Sequence, residues 1–550
     1  MTPRKATLLS WAIVVFGGIV EAIAWAFFVN PDGVAYLNLS DAYARGDWAG
    51  AVNTYWGPLY PFLIGTIHRV YRWPMYWESS VVHAINFAIY LGSYACFRFM
   101  MRALTQYQQS KQNADAELYF IDWNKGWAFV LAHTLFLWSA LVLIGVPIVT
   151  PDMLLAAEIY VIVGLMLYVR AGRRGMATPI LLGVLLGLSY LTKQVMFPVS
   201  LLVLACIGWE GRTIRWSGLQ RAVAVVSFLI VATPQLIAMS RSAGKPSFGE
   251  SGGINYALYV NGYPHYWTGS PPGSGQPAHP VRQILSDPAV YEFAIDDSSS
   301  SYPYLDKEGY WFQGIRPHFD LSQQLTATER ELDIYVSGFA PLFLGAVVLV
   351  LMGVKGKRRD LVAVCIVASG VFVLYALVHT EWRLVAPWAV VLFLAVASGL
   401  SFRGDVSART GVRAMLVGLA VWHILLTANG VRRASLDAVS VLTGRTSNDY
   451  WTIASALQRL GLKHGQRVAS IGSAADAYWA RLAGVQLAME IPVHVADQYW
   501  ILDAADRARV HEAMARNGAS MIVTSFPPAG GGPGWIKLDS SAFYALPLSR

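Results

Sequence analysis

An all-helical bundle that crosses a membrane many times, with a small α/β domain at its C-terminal end, is the fold class this sequence predicts. Three observations point there. Of 550 residues, 55% are hydrophobic and only 14% charged, whereas soluble domains carry nearer a quarter charged residues, and the mean hydropathy is +0.42. Apolar runs close to the roughly 20 residues that cross a ~30 Å hydrocarbon core recur along most of the chain. Past residue 430 the composition turns soluble-like.

About eleven spans are expected, near 7–29, 77–103, 126–146, 152–170, 176–192, 195–210, 219–240, 336–354, 361–379, 384–402 and 413–429. Lys and Arg orient them. Arg98/Arg102/Lys111, Arg170/Arg173/Arg174, Arg212/Arg215, Lys355/Lys357/Arg358/Arg359 and Arg403/Arg409/Arg413 all fall on one side if the N-terminus is cytoplasmic, which is the positive-inside pattern of a multi-pass protein of the cytoplasmic (inner) membrane. The first run, Leu8 to Phe28, follows Arg4 and Lys5 but reads as a retained span. It is long, it holds Glu21, and no small-residue cleavage site precedes Asn30-Pro31-Asp32.

The net charge of +8 and pI near 9.2 do not make nucleic acid a partner. The basic residues sit in short loops between apolar runs and not in a stripe interleaved with aromatics. Cys96, Cys206 and Cys365 all lie inside apolar runs, so neither a disulfide framework nor a thiolate metal site is expected. His133, His265, His279 and His318 lack metal-ligand spacing.

Three larger segments then lie outside the cytoplasm. In the first, residues 30–76, Val34–Tyr43 reads as an amphipathic interfacial helix, and Trp48, Tyr55, Trp56, Trp73 and Trp77 suit the headgroup belt. The second, residues 241–335, is rich in Gly, Pro, Ser and Tyr, and its stretch Thr268–Pro280 breaks both helix and strand. A long loop of this kind is expected to be a lid. The division expected is a transmembrane catalytic domain over 1–430 and an extracytoplasmic α/β domain over 431–550. In the latter, Tyr450–Leu460 and Asp503–Asn517 have helical spacing, while Arg467–Ile471 and Ser520–Ser525 read as strands. Gly472-Ser-Ala-Ala-Asp476 follows a strand, but GxGxxG is missing, so no nucleotide loop is assigned.

Ionisable groups at the outer ends of spans form a short list. Asp32 follows the first span, Asp152 opens the fourth after Thr150-Pro151, Lys193 ends the fifth, and Glu381 with Arg383 fills the outer turn between the ninth and tenth. Charge at membrane depth marks function by default. If a sugar linked through phosphate to a lipid is the donor, this set suits it. The phosphate is already a good leaving group and needs cations, which Lys193 and Arg383 supply, Arg as a bidentate fork and Lys as a point charge. The acceptor hydroxyl needs a base, the role assigned to Asp32. Asp152 is expected to position the acceptor, or to bind a divalent metal ion if one is used.

The stretch Asp32-Gly-Val-Ala-Tyr36, continuing through Asp41 and Arg45 to Gly46-Asp47-Trp48 and then Pro58-Leu-Tyr60-Pro61, resembles the first outer loop of GT-C glycosyltransferases. Its branch holds the protein mannosyltransferases and the lipid A aminoarabinose transferase. Thr150-Pro-Asp152 is similar to that family's second outer acid, Gly187-Leu-Ser-Tyr-Leu-Thr-Lys193 to its GLAxLTK segment, and Glu381-Trp-Arg383-Leu-Val-Ala-Pro387 to its ERYxxP segment. The resemblance implies a GT-C-like bundle, a catalytic Asp32, and substrate contacts from Tyr36, Tyr60, Lys193, Glu381 and Arg383. It also implies a polyprenyl-phosphate sugar as donor and a glycan, lipid or protein as acceptor.

Structural roles compete at each position. Asp32 fits Asn-Pro-Asp-Gly turn chemistry, Asp152 suits a helix N-terminus, Lys193 can snorkel, and Arg383 can simply pair with Glu381. Asp41 and Asp47 read as solvated or capping residues. Glu21 and Glu158, inside spans, are expected to face the bundle interior. A transporter or flippase of a lipid-linked sugar is the alternative, but no matched pair of broken spans supports it. Inverting sugar transfer on the outer face, with Asp32 as base, is the expectation.

Overall fold

The computed structural model describes residues 2–111, 118–171, 175–209, 216–263, 281–293, 316–354, 361–472, 477–525, 527 and 532–548. His265, His279, Thr268–Pro280, residues 473–476 of the Gly472 loop, Arg173, Arg174, Arg212, Arg215 and the basic loop from Lys355 to Arg359 lie outside the described residues.

Among the described residues, eleven apolar helices stand where spans were expected. They are α1 (Pro3–Ala24), α4 (Glu78–Lys111), α5 (Gly126–Leu137), α6 (Asp152–Arg170), α7 (Ala177–Thr192), α8 (Met196–Trp209), α9 (Gly218–Ala243), α11 (Leu321–Met352), α12 (Val362–Ala376), α13 (Trp382–Gly399) and α14 (Val406–Leu442). Eight are long and apolar enough to cross a membrane, while α7, α8 and α12 are shorter. Helix α6 lies innermost, with Asp152, Glu158 and most of its apolar residues buried. As expected, both acids inside spans face inward. Glu21 Oε2 accepts from the Val146 amide at 3.0 Å, and Glu158 Oε1 accepts from Thr192 Oγ1 at 2.9 Å, so each buried carboxylate has a partner at a helix end. Cys96, Cys206 and Cys365 are free thiols within the bundle.

The first outer segment differs from its expected form. Helix α2 (Pro31–Arg45) is covered by protein on more than one face: Gly33 through Ser40 and Ala42 are buried. It packs on α3 (Leu59–Val70) so closely that a Cβ on Gly65 would stand 2.3 Å from the Ser40 carbonyl oxygen. Pro31 at the first helical position and Gly46 at the C-cap, with φ of 79°, bound α2, since proline is preorganised for a helix start and glycine accepts the left-handed cap. Asn-Pro-Asp-Gly is thus a helix start rather than a free turn. Trp48 and Trp77 remain exposed, but Trp73 is buried.

The described residues of 241–335 hold more regular structure than the composition suggests. They include α10 (Ser251–Tyr259) and a hairpin of β2 (Val281–Ser286) and β3 (Ala289–Phe293), and α11 begins at Leu321, well before the expected span. Strands β1 (Leu118–Tyr119) and β4 (Phe402–Arg403) form a separate two-stranded ladder, and the hairpin joins the C-terminal sheet of β5 (Arg467–Ile471), β6 (Gln486–Ile491), β7 (Met521–Thr524), β8 (Ile536–Lys537) and β9 (Tyr544–Pro547) in the order β2-β3-β6-β5-β7-β9-β8. Strands β6 and β7 flank β5 in parallel, whereas β3 meets β6 and β9 meets β7 antiparallel. Strand β8 closes the edge. The expected division at residue 430 falls inside α14, which continues to Leu442. The C-terminal module then begins with α15 (Asp449–Arg459), close to the helix expected there. One hydrophobic core joins Val34, Leu37 and Tyr60 to Ile453, Leu457 and Trp479, so the module is seated on α2 and α3.

Candidate active site

Four helix ends meet where α1 hands over to α2. Asp32 occupies the first turn of α2, and Asp152 opens α6 behind Pro151. Lys193 caps α7 in extended conformation, and Glu381 is the N-cap of α13 with Arg383 in its first turn. Each acid therefore sits at a helix N-terminus, where exposed amides and the helix dipole favour negative charge. Beside Lys193, the Gln194 side-chain amide donates to the Thr54 carbonyl at 2.7 Å, which ties the end of α7 to the segment before α3.

Arg383 ties the set together. Its Nη2 donates to Asp32 Oδ2 at 3.0 Å, its Nη1 to Asp152 Oδ2 at 3.4 Å, and its Nε to Glu381 Oε2 at 2.6 Å. Lys193 Nζ donates to the other Asp152 oxygen, and Thr150 Oγ1 to Asp152 Oδ2 at 2.9 Å. Three carboxylates thus share two cations. Asp152 is almost wholly enclosed, with 2% side-chain exposure, against 31% for Asp32 and 44% for Glu381. The buried acid bonds to both cations, and the other two acids are partly open to solvent. Burial pulls the Glu381 carboxyl upward, but His379 and Arg383 outweigh it and hold it below the usual carboxylate range.

Two spaces meet at this cluster. A polar cavity of about 230 Å³ is lined by Asp32, Tyr36, Asp152, Lys193, Glu381 and Arg383 together with Tyr55, Trp56, Asn255 and His379. A wider groove of about 620 Å³ has Asn30, Asp32, Glu381 and Arg383 at its head and Leu143, Ile144, Ile148, Ile334 and Trp382 along its walls. Leu143 and Ile144 reach it from a π-helical turn, Trp138–Ile144, that extends α5. Asp32, Glu381 and Arg383 belong to both spaces.

Of the residues singled out in the sequence, Asp32, Tyr36, Asp152, Lys193, Glu381 and Arg383 come together around one cavity. Tyr60 does not line it. It is fully buried behind Tyr36, ring centroids 5.4 Å apart, and its hydroxyl donates to Asn86 Oδ1 at 2.7 Å. Its place is structural support, not substrate contact. Burial, reinforced by Asp152 and Asp32, raises the Tyr36 hydroxyl well above its ordinary value, so it stays protonated as a donor. Asp41 is neither solvated nor a cap but pairs with Arg481, whereas Asp47 Oδ1 accepts from the Gly50 amide at 2.8 Å in a local turn.

Sequence reasoning missed His379, which stacks on Tyr259 with centroids 3.7 Å apart. It also missed the wall from α10, Ser251, Asn255 and Tyr259. Tyr55, whose hydroxyl donates to Asn255 Oδ1 at 2.8 Å, and Trp56 line the cavity. His379 stands two residues before Glu381, the one local signal that could have found it. Among the described residues no group of three or more His, Cys, Asp or Glu side chains is arranged to hold a metal ion.

No protein-family model matches the chain, and no curated protein sequence matches it. Among solved structures it is similar to ArnT from Cupriavidus metallidurans bound to undecaprenyl phosphate, with 13% identity over 98% of this chain and 97% of that one and a TM-score of 0.49. It is also similar to the Archaeoglobus fulgidus oligosaccharyltransferase tethered to an acceptor peptide containing the NVT sequon, at 12% identity over 94% of this chain and 69% of that one, with a TM-score of 0.42. A second structure of that protein, with zinc and sulfate, gives 13% identity over 93% and 67% and a TM-score of 0.42.

Proposed function

We propose that the chain is a membrane glycosyltransferase that takes a sugar from a polyprenyl-phosphate carrier. It passes that sugar, with inversion, to a hydroxyl of a glycan, lipid or protein acceptor on the outer face of the cytoplasmic membrane. The observation that carries this reading is the position of Arg383, shared between an apolar groove and a polar cavity while bonded to Asp32. A lipid phosphate has both natures, an apolar tail for Ile144, Ile148 and Ile334 and a charged head for Arg383 and Lys193.

In this reading the phosphate competes with the carboxylates for the two cations. Its arrival draws Arg383 toward the phosphate oxygens and leaves an Asp32 oxygen open to accept a hydrogen bond from the acceptor hydroxyl. The acceptor oxygen then bonds to the anomeric carbon, its proton passes to Asp32, and the bond from that carbon to the phosphate oxygen breaks. Charge accumulates on the departing phosphate, where preorganised cations are most effective. Asp152 holds Lys193 and Arg383 in place throughout. One displacement by a hydroxyl from the face opposite the phosphate inverts the configuration.

The test is incubation of the purified protein with a panel of polyprenyl-phosphate sugars, scoring carrier release by wild type and by Asp32→Asn. Release from at least one donor by wild type, lost in Asp32→Asn while the variant stays folded in the membrane, is the expected result. Equal release by both proteins, or none from any donor, counts against the proposal.

A further inference from the structure

The C-terminal module carries a deeply buried cation, Arg481 of the short helix Tyr478–Ala483, with 2% side-chain exposure. Its guanidinium reaches out of the module into the catalytic half. Nη1 donates to Asn38 Oδ1 at 2.9 Å and to Asp41 Oδ2 at 2.7 Å, both on α2. Nε and Nη2 donate to the two Glu78 oxygens at 2.9 and 2.7 Å, at the start of α4. Tyr478 OH donates to the same Glu78 at 3.3 Å. Burial alone would lower the Arg481 pKa, but Asp41 and Glu78 outweigh it and raise it well above the ordinary value.

Helix α2 is also the helix that presents Asp32 and Tyr36. Asn38 and Asp41 lie six and nine residues beyond Asp32, about 9 and 14 Å along a helix axis. The first turn of α2 faces the cavity, one side rests on α3, and Arg481 holds the far end. A guanidinium fork fixes direction as well as distance, which a flexible ammonium does not. A catalytic group held this way is sensitive to small displacement, since about 1 Å can cost about 10²-fold in rate.

We infer that Arg481 is a positioning residue for Asp32, and that the C-terminal module acts in turnover by fixing α2 rather than as a detachable accessory. The inference rests on the proposed glycosyl transfer only for its kinetic readout. Loss of the fork lets α2 shift, so turnover falls while the donor groove and its cations are untouched.

The experiment uses the full-length protein in lipid nanodiscs. Backbone hydrogen exchange is followed across residues 33–42 in wild type, Arg481→Lys and the double variant Asn38→Ala/Asp41→Ala, which leaves Arg481 paired with Glu78 and the module seated. The expected result is exchange at least about tenfold faster in α2 for both variants, with protection of the C-terminal strands retained. With a donor found by the carrier-release panel, kcat should fall about 10²-fold and KM stay within about twofold. Unchanged α2 exchange in both variants overturns the inference, whatever the activity. So does faster exchange with kcat at the wild-type level. If no donor is turned over by wild type, the functional reading fails, and the exchange result alone decides whether Arg481 holds α2.

Discussion

Arg383 Nη2 and Asp32 Oδ2 stand 3.0 Å apart although 351 positions separate them in the chain. The bond crosses the point where an apolar groove meets a polar cavity, and it connects the proposed base to the proposed phosphate ligand. Neither local turn chemistry at Asp32 nor a simple Arg383–Glu381 pair accounts for it, because the same guanidinium also reaches Asp152 at 3.4 Å.

The first prediction concerns the fork itself. Arg383→Lys keeps the charge but cannot address Asp32, Asp152 and a phosphate together. Carrier release should drop about 10²–10³-fold, the range for losing one preorganised donor to developing charge, with the protein still folded. Steady-state kinetics on a responsive donor checks it.

The second concerns acid stability. Glu381 binds its proton less readily folded than unfolded, because His379 and Arg383 offset the effect of burial. The stability this contributes is complete above the ordinary carboxylate range, near pH 4.3, and is lost as pH falls below it. Melting curves of wild type and Glu381→Gln should therefore converge as pH is lowered from about 6 to 3, with the larger fall in wild type. Parallel curves would remove Glu381 from this role.

The third follows from close approach. A Cβ on Gly57 would stand 2.3 Å from the Thr192 carbonyl oxygen, in the last residue of α7 before Lys193. Backbone cannot yield as a side-chain tip can. Gly57→Ala should cost about 1–3 kcal/mol in stability, as overpacking does, and should lower carrier release by displacing Lys193. Denaturation and activity of the same preparation report both.

The fourth concerns the groove. A charge at Ile148 or Ile334, both on the apolar wall, should weaken binding of a long isoprenoid phosphate more than that of a short one. Each methylene left unburied forfeits about 0.8 kcal/mol, so the gap should widen with chain length. Titration of Ile148→Glu with isoprenyl phosphates of two lengths measures it.

Much of this was legible in the sequence, for identifiable reasons. Hydropathy located the eleven apolar helices because lipid demands long apolar runs. The cluster was legible because charge at membrane depth is rare, so Asp32, Asp152, Lys193, Glu381 and Arg383 stood out against their surroundings. What escaped depends on contacts across the chain. Composition marks 241–335 as loop, but β3 pairs with β6 through Tyr291 and Glu490, a partner that no local pattern reveals. Helix α2 reads as amphipathic, yet α3 and the C-terminal module cover its polar side, and Asp41 finds Arg481 there. Tyr60 matched a motif by spacing, but spacing does not show that Asn86 already occupies its hydroxyl.

Affinity for undecaprenyl phosphate, measured by titration into wild type, Lys193→Ala and Arg383→Ala in nanodiscs, tests most directly whether these distant side chains form one anion site. Both variants should bind at least about tenfold more weakly than wild type, the loss of one charged contact of about 1.5–3 kcal/mol. Equal affinity in all three proteins would contradict it.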